Sequence, residues 1–312
     1  MHCGRLSAAR YLPLSTEGLE VGRGARGCVR AHHADDLRDA RMQLIINADD
    51  FGYDEDTVAK TIAHFEQGAL SSATIMARMP ASERAMTYAR KRSDMSFGVH
   101  LTYVCDTVET PVSSPGSVPA LVRDDGRFLP SNTLRLRALT GRVPVSQIVL
   151  ETSAQLALVR DHGIRISHVD SHGHLHKFPP FLEALERVLP RFGIDRVRAV
   201  QNVYLRRPLS RPTSWLRGGW GRNLRRHFAT TEHFYMSSCA GDASWPCALL
   251  ARNLAGVLEV GVHPGSREEW RRQESNALNE LSRLVRVAGH ELITWHQVTP
   301  ISRPSSLKPD QG

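Results

Sequence analysis

Segments with strand-like apolar patterns alternate with segments of helical spacing along most of this 312-residue chain. Six or seven such β–α units in series predict an α/β fold with a single domain, namely a distorted (β/α) barrel of six to eight units. An open doubly wound sheet is the alternative. No GxGxxG or GxxxxGK[ST] motif is present, which removes the usual nucleotide-binding fingerprints. The predicted strands are QLIINA, SATIMA, SFGVHLT, RISHVDS, RVRAV, VLEVGV and ELITW.

The two ends of the chain lack this periodic pattern. We predict that residues 1–41 form a disordered N-terminal extension, with Met42 as an alternative start, and that residues 299–312 form a flexible tail. The predicted domain is therefore residues 42–298. Inside it, a Pro-, Ser- and Gly-rich stretch from residue 106 to 144 exceeds an ordinary connection in length and is a candidate binding loop.

The positive charge of the chain is concentrated in one place. The net charge of +8 and the isoelectric point near 9.6 would suit a protein that binds polyanions. Residues 206–226, however, contain seven arginines and no acid, and the remainder of the chain carries only +1 (8 − 7). We interpret this segment as an arginine-rich insertion. The local charge does not indicate a general nucleic-acid-binding protein.

Cysteine usage and hydrophobicity bear on the compartment. The five cysteines are scattered, without a CxxC pair, which argues against a disulfide framework and against a thiolate zinc site. No stretch approaches the roughly 18 apolar residues of a membrane span. The N-terminus also lacks the apolar core of a secretory signal. These features predict a soluble, cytoplasmic protein with reduced cysteines.

Acidic residues and histidines stand at the ends of four predicted strands. Asp49 and Asp50 end the first strand, His100 ends the third, and His263 ends a late strand within EVGVHPG. Singly, each has a structural interpretation, such as a helix cap or a buried histidine. Together they predict one site, because β–α barrels collect catalytic residues at this end of their strands. The fourth strand end carries His168, Asp170, His172, His174 and His176.

This set of residue types suits a divalent metal. One carboxylate and two imidazoles can hold the ion and leave coordination positions for water. Consecutive residues of an extended strand point to opposite faces, so Asp49 and Asp50 are not expected to bind one ion in the same way. At a strand end the backbone turns. We therefore expect one acid to hold the metal and the other to accept a proton from the bound water.

Four motifs resemble those of the YdjC family of carbohydrate deacetylases, relatives of chitooligosaccharide deacetylase. They are NADDFG, GVHLT, HVDSHGHLHKFP and EVGVHPG, within about Met42 to Val298. The resemblance implies a distorted (β/α) barrel, a divalent metal (Mg²⁺ or Zn²⁺) and removal of an N-acetyl group from an acetylated amino sugar. Many relatives have consecutive histidines where Gly173 interrupts the run, so the resemblance assigns no role to His174 and His176.

The same resemblance implies roles for the other site residues. The metal ligands correspond to Asp50, His100 and His172. Asp49 corresponds to the catalytic base, and His263 is a candidate catalytic acid. These assignments agree with the division of labour expected for the two neighbouring acids.

Two other functions fit part of the sequence. A non-haem Fe(II) oxygenase uses the same two-histidine, one-carboxylate set, although on all-β barrels. A basic adaptor would bind nucleic acid or anionic lipid through residues 206–226, where Trp215, Trp220 and the nearby Phe228 interleave with arginines. We favour a deacetylase whose partner is a small acetylated amino sugar and not nucleic acid. In this hypothesis residues 206–226 shape access for an anionic or lipid-linked substrate at a membrane surface, and a homodimer is left open.

Overall fold

Most strands of the parallel sheet are buried along nearly their whole length. The computed structural model describes residues 41–205, 211–237 and 244–299, apart from the side chains of residues 211–216. All of them fall within one compact unit. The strands are β1 (Gln43–Phe51), β2 (Ser72–Ile75), β3 (Ser96–Leu101), β4 (Ile166–Ser171), β5 (His233–Met236), β6 (Val257–Val262) and β7 (Glu291–Leu292).

The first strand lies at the centre of this sheet. The strand order is β4–β3–β2–β1–β6–β5, with β7 also paired to β1, and all these pairings are parallel. Residues 195–203 connect the two outer strands. Val197 pairs with Val169 of β4, and the carbonyl of Phe234 in β5 accepts a hydrogen bond from the backbone of Val203. The predicted single α/β domain with a distorted barrel is confirmed.

The helices pack against this sheet through apolar faces. Asp54 caps the first helix, since its carboxylate accepts a hydrogen bond from the backbone N–H of Thr57 at 2.8 Å. Phe65 of the same helix packs against Phe97 of β3, with ring centroids 5.5 Å apart. The described helices are α1 (Glu55–Glu66), α2 (Ser82–Ala89), α3 (Ser131–Leu139), α4 (Val145–Asp161), α5 (Pro179–Val188), α6 (Arg211–His227), α7 (Trp245–Leu250) and α8 (Glu269–Val287).

Several elements differ from the sequence expectations. The predicted strand RVRAV forms only isolated bridges, because its backbone is shared between β4 on one side and Ala229 on the other. Strand β5 was not predicted. The arginine-rich insertion contains the regular helix α6, and the stretch from residue 106 to 144 contains α3. The predictions for the two chain ends concern residues that lie, apart from Arg41 and Thr299, outside the described ranges.

The expectation of reduced cysteines holds at one of the two described positions. Cys105 is a free thiol, whereas Cys247 is disulfide-bonded. Sequence spacing missed this bond because a disulfide depends on Cα atoms lying within about 7 Å in the fold. Among the helices of the described ranges, none combines the length and the apolar character needed to cross a bilayer.

The close approach of β3 to β4 requires a glycine. A Cβ atom on Gly98 would lie 2.6 Å from the ring of the fully buried His168 and 2.7 Å from its carbonyl oxygen. We therefore expect Gly98→Ala to reduce the free energy of unfolding by about 1–3 kcal/mol through overpacking, measured by denaturant titration. Gly219→Ala in α6 is the control, because nothing lies within 4 Å of the added methyl. It should be neutral or stabilising by up to about 1 kcal/mol. Equal stability of the two variants would contradict this interpretation.

Candidate metal and catalytic site

The carboxyl ends of the parallel strands bring the five predicted site residues to one edge of the sheet. Asp49 and Asp50 lie in β1 and His100 in β3, while His172 directly follows β4 and His263 directly follows β6. The two acids and His100 are buried, and the other two histidines are partly exposed. Solvent therefore reaches the site from the side of the last two strand ends.

An irregularity in β1 lets two consecutive acids face the same space. The β1–β2 register shifts between Ala48 and Phe51, and Asp50 has a φ of 58°. This left-handed conformation is uncommon, but aspartate adopts it more readily than most residues. The strand thus continues past the acids instead of ending at them. Because a regular strand would send neighbours to opposite faces, the break brings both acids within reach of His100.

His100 is oriented by an acid from the neighbouring strand. Its Nδ1 lies 2.8 Å from Oδ1 of Asp170, and the hydroxyl of Thr74 donates to the other oxygen of Asp170 at 3.1 Å. This leaves Nε2 of His100 facing Oδ1 of Asp50 at 3.3 Å. Burial would lower the pKa of His100, but Asp170 and Asp50 raise it to about 9. A metal at Nε2 would therefore displace a proton.

His172 joins Asp50 to the long connection after β3. Its Nδ1 lies 3.2 Å from Oδ1 of Asp50, and its Nε2 lies 2.8 Å from Asp106. Burial would lower the pKa of His172, but hydrogen bonds to Asp106 and Asp50 raise it to about 10. Burial would likewise raise the pKa of Asp50, but its hydrogen bonds with His100 and His172 hold it well below the usual range.

The residues Asp50, His100 and His172 fit a divalent metal. Each offers one ligand atom, and these atoms lie within 4.8 Å of one another. An acid on the second ring nitrogen, as Asp170 provides for His100, is a common feature of metal-binding histidines. A second set of Asp49, His100 and Asp170 is equally close. Both acids of this second set are paired with Arg198, whereas in the first set an arginine pairs with only one oxygen of the single acid Asp50 and leaves the other free of such a pair.

Arg198 holds both oxygens of Asp49. Its Nη1 donates to Oδ2 at 2.6 Å and its Nη2 to Oδ1 at 2.7 Å, while the amide of Asn47 donates to Oδ1 at 2.9 Å. A carboxylate oxygen accepts about two hydrogen bonds, so Oδ2 keeps one free position. Burial would raise the pKa of Asp49, but Arg198 holds it well below the usual range. Asp49 is therefore ionised.

Arg198 also connects two other buried acids. Its Nη1 lies 2.5 Å from Asp170, and its Nε donates to Glu259 in β6 at 2.8 Å. Burial raises the pKa of Glu259 to about 7 against the opposing charge of Arg198. One fully buried guanidinium thus links three strand positions around the site. The pairing fixes the orientation of Asp49 and of the acid that orients His100.

His263 directly follows β6. In the sheet, β6 lies on the other side of β1, the strand of Asp49, from β3, the strand of His100. Its Nε2 is 4.0 Å from Oδ2 of Asp49, and its Nδ1 is 3.1 Å from Glu274 of α8. Glu274 also accepts a hydrogen bond from the backbone N–H of His263 at 2.8 Å. Burial would lower the pKa of His263, but Glu274, Asp50 and Asp49 raise it.

Arg271 of α8 occupies the second oxygen of Asp50. Its Nη2 donates to Oδ2 of Asp50 at 2.8 Å, and its guanidinium lies against the rings of Trp270 and Tyr53 at 4.4 and 5.2 Å. Asp50 therefore presents one oxygen to the two histidines and the other to a cation. This arrangement suits monodentate binding of a metal through Oδ1.

The remaining histidines of the run lie outside the donor set. His168 is fully buried and stacks on Trp295, with ring centroids 4.4 Å apart, which is a structural role. His176 contacts the hydroxyl of Ser171 at 2.8 Å. His174 lies beside the ring of Phe234 at 5.9 Å.

Four buried or partly buried polar residues of the site were not assigned a role from the sequence: Asp170, Arg198, Glu274 and Arg271. One of these, Arg198, carried a usable signal, as did its partner Glu259. Arg198 and Glu259 interrupt the apolar predicted strands RVRAV and VLEVGV, and a charge in such a strand requires a buried partner. The two residues on α8 had no comparable signal, because that helix is rich in charged residues along its whole length.

Comparisons with known proteins identify relatives of this chain. A family model described as YdjC-like protein matches residues 43–297. A carbohydrate deacetylase from Brevibacillus brevis is 31% identical over 231 residues, covering 73% of this chain and 83% of the relative. One from Halalkalibacterium halodurans is 26% identical over 261 residues, covering 81% and 99%. One from Geobacillus stearothermophilus is 33% identical over 169 residues, covering 54% of this chain and 63% of the relative.

A solved structure supports the fold. It is a protein of Enterococcus faecalis V583 to which cellobiose-phosphate cleavage has been provisionally ascribed, and it matches with a TM-score of 0.69 at 22% identity. The match covers 83% of this chain and 100% of that protein. The family model spans nearly all of the predicted domain and includes all five site residues, so the chain belongs to the YdjC-like family.

Proposed function

We propose that the chain is a metal-dependent hydrolase that removes the N-acetyl group from an acetylated amino sugar. The observation that carries the proposal is the Asp50–His100–His172 donor set, which lies beside an ionised acid and a histidine of raised pKa. The curated relatives named carbohydrate deacetylases support the same reaction class. The parallel α/β barrel and these relatives favour hydrolysis over the Fe(II) oxygenase with the same donor set.

Asp50, His100 and His172 would hold a divalent ion, Mg²⁺ or Zn²⁺, which when bound lowers the pKa of a water from about 15.7 toward about 7. Asp49 accepts the proton of the attacking water at Oδ2, the oxygen with a free acceptor position. Arg198 keeps this carboxylate ionised and fixed in direction. Because the pKa of Asp49 is low, its carboxylate holds the proton only briefly before releasing it.

His263 completes the hydrolysis at the leaving nitrogen. As the water oxygen bonds to the acetyl carbon, the carbon–nitrogen bond breaks and the nitrogen needs a proton. Nε2 of His263 faces the site, while Nδ1 is held by Glu274, so Nε2 can donate that proton. The products are acetate and the free amine of the sugar.

The proposal is tested by measuring acetate and free amine from a panel of N-acetylated sugars. We expect both products in equal amounts, loss of both after chelation, and recovery with Mg²⁺ or Zn²⁺. Metal-loaded protein that releases no acetate from any member of the panel would contradict it. The cytoplasmic location, the lack of a nucleic-acid partner, the membrane contact and the homodimer stay predictions.

The proton donor can be tested through its partner. Glu274→Gln keeps an acceptor for the backbone of His263 but removes the charge that raises the imidazole pKa. Because protonated His263 is the active form, turnover falls as pH rises through that pKa. We therefore expect the descending limb of the pH–rate profile to move to lower pH.

A matched control for this variant lies on the same helix. Glu280→Gln removes an exposed charge that pairs with Arg283, away from the site, and should leave the pH profile unchanged. A descending limb that stays in place in Glu274→Gln would show that His263 is not the titrating proton donor.

A further inference from the structure

One large aromatic side chain is exposed beside the proposed reaction site. Trp270, in the first turn of α8, is 39% exposed. A single exposed apolar residue is common on a protein surface and by itself indicates nothing. Trp270 differs from the other large apolar residues exposed in the described ranges in being aromatic and in bordering the site. Those others are Val108, Leu136, Leu139, Leu150 and Val287.

The indole of Trp270 lies against two residues of the site. Its ring is 5.5 Å from the ring of His263 between centroids, with the planes inclined by 67°. The guanidinium of Arg271 lies over the indole, 4.4 Å from its centroid. Arg271 also donates to Oδ2 of Asp50 at 2.8 Å. Trp270 is therefore next to the proposed proton donor and to the arginine that holds a proposed metal ligand.

The residue beneath the indole is itself fixed. Arg271 is buried, and besides Asp50 it pairs with Glu268, to which its Nε donates at 2.8 Å. The ring of Tyr53 lies 5.2 Å from the same guanidinium, and its hydroxyl donates to Thr107 at 3.2 Å. An indole packed on such a support presents a surface that is arranged before a ligand arrives, which lowers the entropy lost on binding.

An aromatic surface of fixed orientation suits a sugar ring. The faces of a pyranose present C–H groups, whereas most of its hydroxyl groups point outward from the edge of the ring. Contact with an indole removes the C–H groups from water and leaves the hydroxyl groups available for hydrogen bonds. Small-molecule sites commonly combine an aromatic surface of this kind with a few polar groups that orient the ligand.

The proposed reaction brings a sugar ring to this surface. The acetylated nitrogen is bonded directly to a carbon of the ring, and Nε2 of His263 would give its proton to that nitrogen. Because the imidazole of His263 contacts the indole of Trp270, a nitrogen within reach of Nε2 brings its sugar ring close to the indole.

We propose that Trp270 is a substrate-binding residue on which the pyranose ring of the acetylated amino sugar stacks. This inference rests on the proposed function and deepens it, since it requires a substrate with a closed ring. Two matched probes differ in this property. N-acetylglucosamine has the ring, whereas its acyclic alditol keeps the acetamido group and the hydroxyl groups but has no ring face.

Intrinsic tryptophan fluorescence of the full chain measures the stacking directly. Substrate and deacetylated product both keep the ring, so the signal does not depend on turnover. We expect N-acetylglucosamine to move the emission to shorter wavelength, because stacking takes an exposed indole out of water. The alditol should bind at least about fivefold more weakly. The shift should be absent in Trp270→Phe. A shift that persists in this variant, or no sugar-dependent shift in the natural chain, would overturn the proposal.

The kinetic constants give a second readout. Trp270→Ala should raise KM for acetate release from N-acetylglucosamine by about 5- to 30-fold. Its kcat should stay within about threefold, because stacking acts equally on substrate and transition state. Trp270→Phe keeps an aromatic face, so its KM should stay within about threefold of the natural value. An unchanged KM in Trp270→Ala would contradict the inference.

A matched control lies on the same helix. Val287→Ala truncates an exposed apolar side chain at the other end of α8 and should change neither KM nor the emission shift. Because Trp270 also contacts His263 and Arg271, metal content and the pH–rate profile are measured in Trp270→Ala. Both should match the natural chain. Lost metal or a displaced limb of the profile would assign Trp270 a structural role and refute the stacking role.

The two readouts separate this inference from the proposed function. A Trp270-dependent emission shift without acetate release from any sugar would refute the deacetylase proposal and keep the stacking surface. Acetate release with the same KM in Trp270→Ala and in the natural chain would keep the deacetylase and refute the stacking surface.

Discussion

Replacing Asp49 with Asn is expected to lower turnover by about 10²- to 10⁴-fold, the usual worth of a positioned proton acceptor. The amide cannot take the proton of the attacking water, although it has nearly the same shape. The fold should persist, because Arg198 keeps Asp170 and Glu259 as partners. Bound metal should also persist, since Asp49 is outside the proposed ligand set. Turnover, metal content and circular dichroism are measured on one preparation.

The control for this variant removes an acid elsewhere. Asp124→Asn changes an exposed residue of the long connection and should leave turnover unchanged. If Asp49→Asn kept its turnover, Asp49 would not be the base. If it lost its metal, the assignment of the two neighbouring acids would be reversed.

Replacing Asp50 with Asn is expected to remove the metal. Oδ1 of Asp50 is the oxygen that faces both His100 and His172, and the amide has no charge to offer the ion. Arg271 would also lose one of its two carboxylate partners and keep only Glu268. Altering an outer-shell partner typically costs 10–100-fold in metal affinity, so we expect a first-shell ligand to cost at least about 100-fold.

This loss appears as less than one metal ion per chain after dialysis, with turnover falling in proportion. Asp56→Asn, which removes an acid bound to the backbone of Ser266 and Arg267 in the loop after β6, serves as the control and should keep its metal. Full metal occupancy in Asp50→Asn would remove this residue from the ligand set.

Much of the architecture could be predicted from the sequence because each β–α unit carries its own pattern. The positions of His100, one residue before the end of β3, and of His263, directly after β6, follow from the apolar segments that precede them. The relation of Asp49 to Asp50 could not be derived in this way. It depends on a register shift and a left-handed backbone at Asp50, which the apolar pattern of β1 does not show.

The contacts among the buried charged residues around Arg198 could not be predicted from the sequence either, for a different reason. Sequence patterns show that Arg198 and Glu259 interrupt apolar strands, but not that they meet across the barrel with Asp49 and Asp170. Such contacts depend on which strands close the sheet. Residues 195–203 close the sheet through isolated bridges and not as a regular strand. The alternating pattern of a strand, which would have indicated the position of Arg198, is therefore weak there.

The ligand set and the base are tested most directly by counting metal ions per chain in Asp49→Asn and Asp50→Asn, by plasma mass spectrometry, beside acetate release from the same samples. We expect about one ion per chain and little turnover for Asp49→Asn, and a metal-poor, inactive Asp50→Asn. If Asp49→Asn lost its metal and Asp50→Asn kept it, the roles of the two acids would be exchanged. Metal and activity retained in both variants would contradict the metal-dependent deacetylase itself.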